Sequence, residues 1–184
     1  GQFDEEIRNI VIGPGSKLFL TGHFKGTVDF DGSAATSIKT SKGDDDIFTL
    51  RLNLILDHSW SHSIGSPGEL TLNCTSKNVS TMLLSGGSAF GSSARSISSN
   101  IANKNGMISN VSSGGTGGTS AYEIGGPGED EVTAVYRDAL GNKYIAGTFE
   151  LTANMEISKY DPAINISSAG AKDIFIIKLN SASE

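Results

Sequence analysis

The sequence predicts an all-β fold of three tandem four-stranded antiparallel repeats, and three observations carry that prediction. Ile64-Gly65-Ser66-Pro67-Gly68-Glu69 returns 60 residues later as Ile124-Gly125-Gly126-Pro127-Gly128-Glu129. Residues 46–53, DIFTLRLN, return at 173–180 as DIFIIKLN, 127 residues or two such periods on. A glycine inside an apolar segment recurs at Gly22, Gly86 and Gly147, separated by 64 and then 61 residues. A period of this length marks a supersecondary unit copied because one copy cannot bury its apolar face alone. The 184 residues form a single repeat domain (1–184), with copies at approximately 1–63, 64–123 and 124–184 and the middle copy the most degenerate.

Each element has a local reason. The first strand, residues 6–12 and 131–136, ends at the turn signals Gly13-Pro14-Gly15 and Gly141-Asn142. The second, 17–24 and 142–149, carries the shared glycine, and glycine within a strand marks a bulge or the close approach of another backbone; we expect packing against a neighbouring sheet. In the third strand Phe48, Leu50 and Leu52 oppose Ile47, Thr49 and Arg51, and Phe175, Ile177 and Leu179 oppose Ile174, Ile176 and Lys178. This period of two places one face against a neighbour. The fourth strand covers 58–64 and 121–124, and the third copy stops before it.

Composition narrows the function classes. Gly at 23 residues with abundant Ser favours short strands and tight turns. A net charge of −6 without a basic stripe argues against nucleic acid. No transmembrane segment is expected, since no stretch approaches the roughly 18 apolar residues of a spanning helix. The one cysteine, Cys74, forbids an intrachain disulfide and reads as a small buried side chain. Asn-x-Ser/Thr sequons begin at Asn73, Asn78, Asn110 and Asn165, as chance provides in so Ser-rich a chain.

Thr21-Gly22-His23-Phe24, Gly26-Thr27-Val28-Asp29-Phe30, the Asp46 to Leu52 strand and Trp60 followed by Ile64-Gly65 make this chain similar to bacterial β-propeller repeats of the SBBP type. The third copy keeps Ala146-Gly147-Thr148-Phe149 and its Asp-Ile-Phe strand, with Ala153-Asn154-Met155 in place of Val-Asp-Phe. The resemblance implies a β-propeller-like stack in an extracytoplasmic protein with a binding role. A β-trefoil is the structural rival, although its units are shorter. Because a closed propeller has four to eight blades, three imply either part of a longer repeat array or a homodimer that completes a ring.

Two constellations are candidate sites. Asp4, Glu5 and Glu6 precede the first strand and Asp44, Asp45 and Asp46 enter the third, so their carboxylates are expected on one face, where calcium or a cationic partner would meet them. Neither run has the spacing of a dedicated calcium loop, and a solvated turn is the plainer reading. His58, Trp60 and His62 alternate along the fourth strand and are expected to share a face, with Trp60 either a sugar-stacking platform or a core residue. Two histidines four residues apart on a strand are about 13 Å apart, too far to share one zinc ion. Gly114-Gly115-Thr116-Gly117-Gly118 lacks the Lys-Ser/Thr ending of a phosphate loop and reads as a connection. The leading expectation is a non-enzymatic module binding protein or carbohydrate, and the alternative is a hydrolase or lyase acting on polysaccharide.

Overall fold

The structure, a computed structural model, describes residues 1–13, 15–65, 68–77, 82–90, 104–112, 120–157 and 162–181; for 74–77, 82–90, 110–112, 120 and 121 it describes the backbone alone. The glycine run at 114–118, Pro14, Ser66, Pro67 and Asn78 lie outside the described residues, as do the side chains of Cys74 and Asn110. The strands are β1 (Glu5–Gly13), β2 (Lys17–Phe24), β3 (Thr27–Asp29), β4 (Ile38–Thr40), β5 (Asp46–Leu52), β6 (His58–Ile64), β7 (Leu70–Lys77), β8 (Met82–Phe90), β9 (Lys104–Ser112), β10 (Ser120–Ile124), β11 (Glu131–Arg137), β12 (Lys143–Asn154) and β13 (Asn165–Leu179). Among the described residues there is no helix. The chain is all-β.

Three antiparallel meanders account for most of these strands. The first sheet has the order β1-β2-β5-β6, the second β7-β8-β9-β10, and the third β11-β12-β13. The small β3–β4 hairpin packs Val28 and Phe30 against Phe24 and Phe48 of the first sheet. No sheet closes into a barrel among the described residues.

One irregularity repeats in all three sheets. In the first, Ile7 pairs with Gly22 and the register then slips so that Asn9 meets Thr21, leaving Arg8 as an extra residue. Asn73 is the extra residue of the second sheet and Thr133 of the third. A bulge in the first strand at the same point sets Gly22, Gly87 and Gly147 opposite Ile7, Leu72 and Val132. Register therefore makes Gly87, not Gly86, the equivalent of the other two glycines.

The bulge explains the glycine. A Cβ on Gly22 would overlap the Glu6 carbonyl oxygen and crowd the Phe48 ring; on Gly147 it would overlap the Glu131 carbonyl and crowd Phe175. These contacts lie within one sheet, so the close approach expected from a neighbouring sheet is made instead by the bulged strand beside it.

Between sheets, each apolar face covers the next. Ile47 and Ile64 of the first sheet pack on Leu70, Leu72 and Met107 of the second. Ile108 and Ile124, from the opposite face of the second sheet, pack on Val132, Ile145, Phe149 and Phe175 of the third. The same backbone bond marks both junctions: Leu70 N–H donates to the Asp45 carbonyl at 2.8 Å and Asp130 N–H to the Lys104 carbonyl at 2.6 Å. Asp45 immediately precedes β5 and Lys104 opens β9, and the two are register equivalents in the third strands of their sheets. The two junctions are copies of one geometry.

Candidate functional site

The acidic segments meet at one end of the first sheet. Glu5 pairs with Phe24 and Phe24 with Asp46, so β1 and β5 begin side by side across the end of β2, roughly two strand spacings or about 9–10 Å apart. Their carboxylates are not left as a bare cluster. Asp44 binds Lys25 at 2.6 Å, Glu6 binds Arg8 at 2.9 Å, and Glu5 binds the Gly1 amino group at 3.2 Å. Hydrogen bonding and charge from Asp44 raise the Lys25 pKa.

Asp46 differs from its neighbours because it is buried and structural. Its carboxylate accepts the Lys42 N–H at 2.7 Å and lies where a Cβ on Gly65 would fall. Gly125 sits in the same way against the Asp130 carboxylate and against Asn105, the register equivalent of Asp46. The first glycine of the recurring Ile-Gly-x-Pro-Gly-Glu motif is thus a close-approach glycine. Asp4 and Asp45 complete the rim, Asp4 exposed and Asp45 half-buried. Among the described residues no group of three or more His, Cys, Asp or Glu is arranged to hold a metal ion.

His58, Trp60 and His62 do not share a face. A second bulge pairs Leu52 with His58 but Arg51 with Trp60, leaving Ser59 extra and turning His58 to the opposite side. His58 Nδ1 lies 3.3 Å from Asp31 of the loop after β3. Hydrogen bonds from Ser33, its backbone N–H first, hold the Asp31 pKa below the ordinary carboxylate value. Trp60 packs edge-on against Phe19 with ring centres 5.9 Å apart, 5.0 Å from the His62 ring, while the Arg51 guanidinium lies 6.0 Å from the Phe19 ring centre. Trp60 is half-buried on the face that turns toward the second sheet.

Two features had no readable sequence signal. The first is a polar seam between the first and second sheets, where His23, Thr21 and Thr49 face Asn105, Ser109 and Glu123, all buried. Burial pushes the Glu123 carboxyl up to about 7, opposed by a hydrogen bond from the Asn105 side chain. Desolvation, then the Arg8 charge, lowers the His23 pKa, and its Nε2 accepts the Leu72 N–H. The second is a hollow of about 290 Å³ on the outer face of the first sheet, where Glu5 and Glu6 border Ile7, Val28, Phe30, Phe48 and Leu50. Among the described residues no helix is long and apolar enough to cross a membrane. No protein-family model matches the chain, and a search of curated proteins found no match.

Proposed function

We propose that the chain is a non-enzymatic, extracytoplasmic binding module whose sheets are blades of a β-propeller-type stack, presenting the acidic rim of the first sheet to a cationic group on a protein or carbohydrate ligand. The observation that carries this reading is the convergence at one sheet end of Asp4, Glu5 and Glu6, at the start of β1, with Asp44 and Asp45, from the loop that enters β5. Such a rim attracts positive charge over about a Debye length. Its pairing with Lys25 and Arg8 favours solvated, exchangeable carboxylates over a calcium cage. The repeated junctions and bulges support the blade reading, because a stack of equivalent sheets leaves its loops at the two rims. Fold alone does not decide activity.

The test is a glycan array read beside turnover of the same polysaccharides. Binding that weakens as sodium chloride rises, with no product released, is the expected result. Turnover abolished by one carboxylate substitution would establish a hydrolase or lyase instead. Melting with millimolar calcium against equal ionic strength of sodium chloride separates a bound cation from screening.

A further inference from the structure

The two ends of the stack expose what its interior covers. Ile7, Leu72 and Val132 occupy one register position, opposite the shared glycine. Leu72 and Val132 are 1% and 0% exposed beneath the preceding sheet, whereas Ile7, which no other described sheet covers, is 59% exposed. The other end shows the converse. Ile47 and Ile174 are register equivalents, as are Ile108 and Ile176. Ile47 and Ile108 are each 1% exposed beneath the following sheet, while Ile174 and Ile176 are 78% and 74% exposed.

We propose that the outer face of the third sheet docks on the outer face of the first sheet of a second copy of this chain, head to tail. Continuity with the two junctions already present identifies the occupant. In the junction between the second and third sheets, Ile108 fills the cluster of Val132, Ile145, Phe149, Ala153, Met155 and Phe175. The equivalent cluster in the first sheet, Phe24, Val28 and Phe48 with Leu20 and Phe30, has no such isoleucine, and the hollow beside Ile7 lies there. Ile176 of the second copy is the residue that takes the place of Ile108. Burying two exposed isoleucines against that hollow is favourable. Two such junctions close a ring of two copies, since each copy offers one face of each kind. Glu5 and Glu6 of the acidic rim border the same hollow, so docking there narrows the rim on that side, while chain mass reads the docking whether or not the rim binds a ligand.

Light scattering on the full chain and two single variants tests it. Wild type is expected at twice the 19.2 kDa chain mass, and Ile7→Asp and Ile176→Asp each at the mass of one chain. Both positions are exposed in the single chain, so each variant should retain its fold. Ile10→Lys and Ile174→Lys form a second pair should either fail to express. An equimolar mixture of Ile7→Asp with Ile176→Asp restores a dimer of mixed composition, because one intact junction remains. A wild type that is monomeric at high micromolar concentration would overturn the proposal. A dimer that survives Ile176→Asp, or a mixture that stays monomeric, would equally overturn the head-to-tail arrangement.

Discussion

The imidazole of His23 in the first sheet accepts the backbone N–H of Leu72 in the second, one residue before the bulge at Asn73. An acceptor nitrogen must be unprotonated, so the ring is neutral with its proton on Nδ1. The reciprocal tie one junction on is made by the bulge residue itself: the Asn73 side-chain amide donates to Glu131 at 2.6 Å and to the Val132 carbonyl at 3.3 Å. Polar side chains set the register of these apolar junctions.

Removing the His23 acceptor leaves a buried N–H without its partner, at a cost of about 1–3 kcal/mol. His23→Leu is therefore expected to lower the melting temperature, and His23→Gln, whose side-chain oxygen can accept, to recover part of the loss. Burial depresses the His23 pKa in the folded state. The unfolded chain thus binds the proton more readily, and the stability from the neutral ring is full above about pH 6.5 and is lost as pH falls through the lower folded value. Thermal melts from pH 8 to pH 5 check this: the acid loss should be smaller in His23→Leu than in wild type.

Glu123 behaves in the opposite sense. Its folded pKa, raised to about 7 from 4.5, means that the folded state holds the proton more tightly than the unfolded chain. Stability is therefore full below about pH 4.5 and declines as pH rises through 7. Glu123→Gln is expected to raise the melting temperature at pH 8 and to change it little at pH 4.5. Equal shifts at both pH values would show that the carboxyl is not buried as described.

The bulge carbonyls make Gly22 and Gly147 intolerant of any Cβ. Gly22→Ala and Gly147→Ala should each lose about 1–3 kcal/mol, and Gly→Val should add only modestly to that loss because the first carbon already collides. Urea titration measures both. A neutral alanine would mean that the bulge is absent.

Leu151 is the register counterpart of Gly26, two residues beyond Phe149 as Gly26 is beyond Phe24, and both lie in the left-handed region, with φ of 61° and 71°. A branched side chain there costs about 1–2 kcal/mol, while glycine returns part of that through the entropy of the unfolded chain. Since Leu151 is exposed, Leu151→Gly should raise stability by about 0.5–1 kcal/mol in the same titration. Gly26→Leu should lower it.

How much of this was legible follows the physics of each feature. The apolar alternation of residues 46–52 and 173–179 placed their faces correctly, because a period of two is local. The middle copy keeps so little of the motif that its four-stranded sheet was legible only from spacing. A bulge shifts register by one residue without any residue type of its own, so the extra Ser59 was silent, and with it the separation of His58 from Trp60 and His62. The raised Glu123 and the lowered His23 depend on burial between strands far apart in sequence, which no local pattern encodes.

One register position is covered where another described sheet packs on it and open where none does. Thiol labelling in a Cys74→Ser background reads this directly at Ile7→Cys, Leu72→Cys and Val132→Cys. At dilution, rapid labelling is expected at position 7, and labelling at 72 and 132 only through transient opening, slower by at least about a hundredfold. Equal labelling at all three positions would contradict the stacking of the sheets and, with it, the reading of the chain as a blade array.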